Sequence, residues 1–240
     1  MILAIETSGE MTSLAVVDGR RVVREDAFPS RRALCQRLMP RIEALLGEKS
    51  GEQPVRPRDL RAIAVSLGPG SFTSLRIGVA TAKALAHAWE VDLVGVPTAH
   101  AVADGLADLP GNGLACVISV ARKGHVYVSL VQRSPDGTWC DALPCAVHTI
   151  PTLPKVLAAR REPIVLCGEA APVHAPDLQE PPGSRLRMAP DAQLRPAARH
   201  VGFLGAVQLD RRGPDDLFSL KPIYAQPSQA EAARGIDLGL

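Results

Sequence analysis

Aromatic side chains are scarce: four Phe, two Trp and two Tyr, 3% of 240 residues. A sheet that stacks bases on exposed rings is therefore not expected. An excess of one charge is also missing. The net charge is +2 and the pI is near 8.3, well short of the basic footprint of a stand-alone nucleic-acid binder. No apolar run reaches the roughly 18 residues of a membrane-spanning helix, so no membrane association is expected. The opening "MILAIETSGE" lacks the basic start and apolar stretch of a secretory leader. The five cysteines, Cys35, Cys116, Cys140, Cys145 and Cys167, are odd in number and form no C-x-x-C pair. Free thiols in a reducing cytoplasm are the simplest expectation. The six histidines, His87, His100, His125, His148, His174 and His200, form neither H-x-x-x-H nor H-E-x-x-H, so no metal site is expected.

Hydrophobic residues make up 46% of the chain, enough for one large or two modest cores. Its 21 Pro and 20 Gly are scattered, which points to many short connections. Strands are predicted over "ILAI" and on both sides of Asp18-Gly19, a strong hairpin signal. Leu34, Leu38, Ile42, Leu45 and Leu46 have helical spacing, closed by Gly47 and interrupted by Pro40, which should kink the helix or mark a late start. "LRAIAVSL" reads as a buried strand, followed by a helix to about Trp89 and the strand "VDLVGV". A similar order then recurs. "LACVISVA", "GHVYVSLVQR" and a segment within 138–150 read as strands, "PTLPKVLAARRE" as a helix, "PIVLCG" as a strand and "RPAARHVGFLGAVQLDRRG" as a late helix. The stretch "EAAPVHAPDLQEPPGSRLRMAPDAQ" reads as loop. This doubled α/β order predicts the two-lobed actin-like/Hsp70-like (ASKHA) fold, each lobe a mixed sheet flanked by helices. Residues 1–100 form the first lobe. Residues 101–240 form the second, with the tail a candidate to return to the first.

That fold holds a nucleotide between its lobes, but fold does not fix function. The first nucleotide element, at Glu6, Thr7, Ser8 and Thr12, has the right residue types, although a hydroxyl-rich strand exit is more often a plain turn. The second should lie near Val120, where no acid or glycine pair stands. The third should be a Gly-Gly loop, and only Gly168, followed by Glu169, is present. The expected reading is an ATPase-like body without an ATPase site: no catalytic residues and no cofactor.

"GPGSFTSLRIG", Gly68 to Gly78, looks like a phosphate loop but lacks the lysine of G-x-x-x-x-G-K-[ST]. Gly68 and Gly70 permit a sharp turn, and Ser71 has the chemistry of an N-cap whose hydroxyl meets free amides. No G-x-S-x-G elbow surrounds it. In the following helix Ser74, Gly78, Ala82 and Ala86 recur every fourth residue. Such a small-residue face suits close packing, either against the lobe's own sheet or against a second subunit. Phe72, Leu75, Val79 and Leu85 supply bulk on neighbouring faces.

"ILAIETS", "AIAVSLGPGSFTSLRIGVATAKALA", "LVGVPT", "ARKGHVY" and the closing "LKPIYAQPSQAE" together resemble the TsaB (YeaZ) family, in order over most of the chain. The resemblance implies a non-catalytic subunit that pairs with TsaD, a paralogue doing the chemistry. With the ATPase TsaE, TsaD moves threonylcarbamoyl to the adenosine beside the anticodon of tRNAs reading codons that begin with A. It also implies pairing through helices of the first lobe, as a heterodimer with TsaD or as a homodimer in isolation. The matching residues here are Leu38, Ile42, Leu45, Phe72, Ser74, Leu75, Gly78, Ala82 and Leu85. Glu6, Thr7, Ser8 and Ser71 are candidates for a vestigial or interfacial nucleotide contact, with ATP or ADP expected only at the complex interface and tRNA only through the complex. Five positions depart from the family pattern: Ser74 for Gly, Leu34 and Cys35 in Leu34-Cys35-Gln36 for His-Ser-Gln, Val120 for Asp and Glu6 for Asp. The arginines of "RRALCQR" and "LDRRG" read as solvated rather than as a phosphate-binding stripe. The competing reading is a self-sufficient actin-like ATPase or kinase.

Overall fold

Side-chain size alternates across the first strands, and this decides which helix covers which face. The computed structural model describes residues 1–30, 33–48, 53–121, 123–178 and 185–225. The strands are β1 (Ile2–Glu6), β2 (Met11–Asp18), β3 (Arg21–Pro29), β4 (Ala62–Ser66), β5 (Asp92–Val96), β6 (Leu114–Val120), β7 (His125–Arg133), β8 (Trp139–Thr149), β9 (Ile164–Cys167) and β10 (Leu186–Met188). The helices are α1 (Leu34–Leu46), α2 (Phe72–Trp89), α3 (Thr98–Asp104), α4 (Leu153–Ala158), α5 (Ala171–Leu178) and α6 (Ala198–Arg212). The chain divides into one unit of Met1–Ala101 with Ala197–Ile223 and a second built on Val102–Pro196.

The first unit holds a mixed sheet in the order β3-β2-β1-β4-β5. The first three strands are antiparallel, and β4 and β5 run parallel to β1. Gly19 turns the β2–β3 hairpin at φ +58°, as the Asp-Gly pair predicts. Because strand side chains alternate, Leu3, Ile5, Leu14, Val16, Ile63 and Val65 share one core with Leu38, Ile42 and Leu45 of α1 and Val79, Ala82 and Leu85 of α2. The opposite face is built of smaller residues. Ala4, Ala15, Val17, Ala62 and Ala64 pack with Val201 and Phe203 of α6. Glycine lets α6 lie close: a Cβ on Gly205 would stand 2.6 Å from the Cβ of Ala64, and one on Gly202 would stand 2.7 Å from Val17.

The late helix therefore covers the first sheet and does not close a second copy of the repeat, as its sequence order suggested. The pattern of Gly202, Gly205 and the strand alanines makes this packing close. α1 also continues through Pro40. Pro40 is exposed while Leu34, Leu38, Ile42 and Leu45 are buried, so one core holds both halves of the helix. Its C-terminus is finished by the buried Arg24 guanidinium. Arg24 donates from Nη1 to the carbonyls of Leu45 (2.8 Å) and Gly47 (2.6 Å), and from Nη2 to that of Gln53 (2.7 Å), which pairs otherwise open helix-end acceptors.

The second unit holds a sheet in the order β10-β9-β6-β7-β8. β6, β7 and β8 are antiparallel neighbours, and β9 and β10 run parallel to β6. Cys116, Ile118, Val128, Leu130 and Leu166 form its core with Leu153 and Leu157 of α4 and Ala171 of α5. The segment read as loop contains α5 and β10. Burial of Ala170, Ala171 and Leu178 stabilises the short helix despite Pro176 within it, a tertiary effect that local propensity does not show. Both units are mixed sheets with helices packed against them, the lobe architecture of the actin-like (ASKHA) class.

All five cysteines are free. Burial pushes the Cys116 thiol up to about 12 and Cys145 to about 11, so both stay protonated and unreactive at neutral pH. Among the described residues no helix is long and apolar enough to cross a membrane. The second half of the closing motif "LKPIYAQPSQAE", from Gln226 onward, and Arg122 of "ARKGHVY" lie outside the described residues.

Candidate functional site

β1 and β4 are parallel neighbours, so their ends lie side by side where α/β sheets commonly place a ligand. β1 leaves the sheet through Glu6, Thr7 and Ser8, all buried. Glu6 Oε1 accepts the amide of Ser8, and the amide of Thr7 donates to Ser66 Oγ at 3.3 Å. Thr12 does not join this group; its Oγ1 pairs with Ser30 Oγ at 2.7 Å.

The glycine turn ahead of α2 lies directly on this exit. The Ser71 amide donates to the Ser8 carbonyl at 2.7 Å, and a Cβ on Gly70 would collide with that same carbonyl oxygen. On the other side, Gly68, at φ +99°, donates its amide to Thr98 Oγ1 (3.1 Å) and accepts the Thr98 amide at 2.8 Å. The amides of Gly68 and Ser71 are thus committed within the protein. A phosphate loop needs such amides turned outward. The tight turn serves to clamp β1, β4 and the start of α3 together.

The Ser71 hydroxyl does not cap α2 as expected. It donates to Ser74 Oγ at 3.0 Å, and no side-chain cap bond is made. The Ser71 carbonyl still opens the helix by accepting the Leu75 amide at 2.9 Å.

The residues singled out on α1 and α2 divide sharply by exposure. Leu38, Ile42, Leu45, Leu75, Gly78, Ala82 and Leu85 are buried in the first unit's own core, and Phe72 and Ser74 are half-buried. The small face of α2 points inward. A Cβ on Gly78 would overlap Thr7 Oγ1 and stand 3.1 and 3.2 Å from Thr7 Cγ2 and Cβ. These side chains hold the helices in place, and any partner would meet the opposite side. There α2 presents Thr73, Arg76, Ala80, Ala84, His87 and Ala88 to solvent, and α1 presents Cys35, Gln36, Glu43 and Ala44. Ala80, Ala84 and Ala88 form a second every-fourth ladder, which the reading of Ser74, Gly78, Ala82 and Ala86 passed over. A helical wheel places it opposite the first, and that was the available signal. Ser66 and Thr98 were missed because their partners lie far away in sequence.

In the second unit Gly168 stands at φ +92°, and a Cβ there would collide with the Ile118 backbone. Close packing accounts for this glycine without a ligand. Val120, at the end of β6, is 58% exposed and has no metal-binding chemistry. Of the arginines weighed for phosphate contact, Arg37 stacks over Phe28 and Arg212 grips Asp215. Arg31 and Arg32 lie outside the described residues.

Residues 29–150, just over half of the chain, match the family described as TsaD: tRNA N6-adenosine threonylcarbamoyltransferase. The chain is 40% identical over 128 residues to the enzyme of that name from Anaeromyxobacter dehalogenans, but this covers only 45% of the chain and 37% of the enzyme. The tRNA threonylcarbamoyladenosine biosynthesis protein TsaB of Bacillus subtilis aligns instead end to end, 28% identical over 231 residues and 96% of each chain. The chain belongs to the TsaB (YeaZ) family. YeaZ from Pseudomonas aeruginosa has the same fold, with a TM-score of 0.73 at 24% identity over 93% of this chain and 98% of that one. In this TsaB-type chain the stretch shared with the TsaD family includes α1, α2 and the glycine turn. Enzymes of the TsaD family thus carry a stretch related to this part of the chain.

Proposed function

We propose that this chain is the non-catalytic subunit of a tRNA-modifying assembly, holding a TsaD-type enzyme in working form through the outward faces of α1 and α2. The family's role is in tRNA threonylcarbamoyladenosine biosynthesis. In this reading the TsaD-type subunit performs the transfer of threonylcarbamoyl to the adenosine beside the anticodon of tRNAs reading codons that begin with A. TsaE joins that complex, tRNA is met only through it, and the isolated chain self-pairs by the same surface. ATP or ADP would enter only at the complex interface.

The observation that carries this reading is the seal over Glu6, Thr7 and Ser8. The turn that an ATPase opens toward phosphate is here packed shut by Gly70 and bonded to Ser71. The rest of the lobe is used as a scaffold. Thr7 sets the depth of α2, Arg24 fixes the end of α1, and the exposed Ala80–Ala84 ladder leaves room for another helix to approach. Because the partner's lobe is related, the two can meet as near-equivalent halves of a pseudo-twofold interface.

The test is to mix the chain with the TsaD-type subunit of the same organism and weigh the mixture by light scattering. A species equal to one partner plus this 25.4 kDa chain is expected. Two unchanged masses at micromolar concentration would overturn the pairing.

A further inference from the structure

We infer that Phe218 is an apolar anchor for the TsaD-type subunit, and that the strap after α6 extends the pairing face of α2. The inference rests on the pairing reading above. Phe218 is 84% exposed, the most exposed large hydrophobic among the described residues, yet the backbone is held on both sides of it. At the strap's start Asp215 is gripped by Arg212 through two bonds of 2.6 and 2.9 Å. Asp215 also accepts the Gly95 amide at 2.8 Å, while its own amide donates to the Leu93 carbonyl at 2.8 Å. Burial pushes the Asp215 carboxyl up, but the bonds from Arg212 and Gly95 outweigh this and hold it below the usual range.

Around the phenylalanine, Asp216 Oδ1 accepts the Ser219 amide at 2.8 Å and the Asp216 carbonyl accepts the Leu220 amide at 3.1 Å. Leu217 and Leu220 pack against the core shared by α1 and α2. Beyond them the Ile223 amide donates to the Leu67 carbonyl at 2.8 Å. Chain entropy at this turn is therefore already lost in the free protein, and water is the present environment of its largest side chain. A pre-ordered aromatic of this kind binds without the usual ordering cost.

Its place on the fold selects the occupant. Lys83 of α2 donates its ammonium to the Phe218 carbonyl at 2.9 Å. The strap turn thus lies beside the helix segment that exposes Ala80, Ala84 and His87. A bulky apolar side chain next to a helix face of small residues makes a continuous relief, which extends the face proposed to meet the TsaD-type subunit.

The experiment uses the full chain with Phe218→Asp and Phe218→Leu. Each is titrated with the TsaD-type subunit, and its thermal unfolding is recorded. Phe218→Asp should weaken pairing by about 30-fold or more, as loss of an anchor does. Phe218→Leu should weaken it less than about 5-fold, and both should melt like the parent, since the side chain is in water. Parent-like affinity of the Asp variant overturns the anchor while leaving the pairing intact. A parent chain that does not pair overturns both. A change seen only in self-association assigns Phe218 to a second copy of this chain and also overturns the inference.

Discussion

Gly78→Arg should destroy the first unit and not merely release a partner. The α2 backbone at Gly78 rests on Thr7, whose Oγ1, Cγ2 and Cβ all lie within contact of the missing Cβ. Thr7 is fully buried, and turning its side chain would still leave its Cβ 3.2 Å from the added atom. Even Gly78→Ala should cost about 1–3 kcal/mol as an overpacked contact. An arginine adds a long side chain and an unpaired charge, on the order of 5 kcal/mol or more together. That equals the whole stability of many domains, about 5–15 kcal/mol. Circular dichroism during heating should show no parent-like cooperative transition for Gly78→Arg, and soluble yield should fall. Thr7→Ala added to Gly78→Ala should restore part of the loss, because it leaves only the 3.2 Å contact to Cβ. A Gly78→Arg chain that melts like the parent would show that this face is open, and the packing described here would be wrong.

The opposite outcome is expected at Ala84. This residue and Ala80 are exposed on the outer side of α2, and arginine is a good helix former. Ala84→Arg should therefore change stability by less than about 0.5 kcal/mol. Its bulk and charge would stand where a partner helix has to approach. Affinity for the TsaD-type subunit should fall at least about 100-fold, roughly 3 kcal/mol. Titration calorimetry beside a melting curve separates the two effects. Full affinity in a well-folded Ala84→Arg variant would move the pairing surface to another part of the molecule. Together, Gly78 and Ala84 test the two faces of one helix with opposite expected results.

That contrast marks what could be read in advance. The α2 repeat at Ser74, Gly78, Ala82 and Ala86 was plain in the sequence, and so was its meaning as a face for close approach. Which way it faced was not, because α2 carries small residues on both sides and the arbiter, Thr7, comes from the exit of β1 about 70 residues earlier. The Asp18-Gly19 hairpin and the buried strands were legible because local geometry and alternation specify them. α5 and β10 were not, being short, proline-bearing and held by burial. The position of α6 depends on Gly202 and Gly205 meeting Ala64, Ala4 and Val17, contacts that span most of the chain.

At the candidate site the residue types Glu6, Thr7 and Ser8 were recognised, and so was the missing lysine of the turn. Their mutual sealing was invisible, since it runs through backbone groups and through side chains distant in sequence, Ser66 and Thr98. Ser71 shows the limit most simply. Its identity suited a cap, but neighbouring Ser74 offers its hydroxyl a partner at 3.0 Å, and side chains compete locally for such bonds. The strap that presents Phe218 had no sequence signal beyond an isolated aromatic near two aspartates.

The decisive measurement is formation of threonylcarbamoyladenosine in tRNA by purified components, with the adenylate donor supplied. The chain alone should yield none. The TsaD-type subunit, with TsaE present, should gain activity as the chain is added, saturating at one copy per enzyme, while ATP consumption by the isolated chain stays at background. Product made by the chain alone would contradict a non-catalytic scaffold. So would ATP turnover by the chain near about 1 s⁻¹, an ordinary enzymatic rate, that disappears in Glu6→Gln.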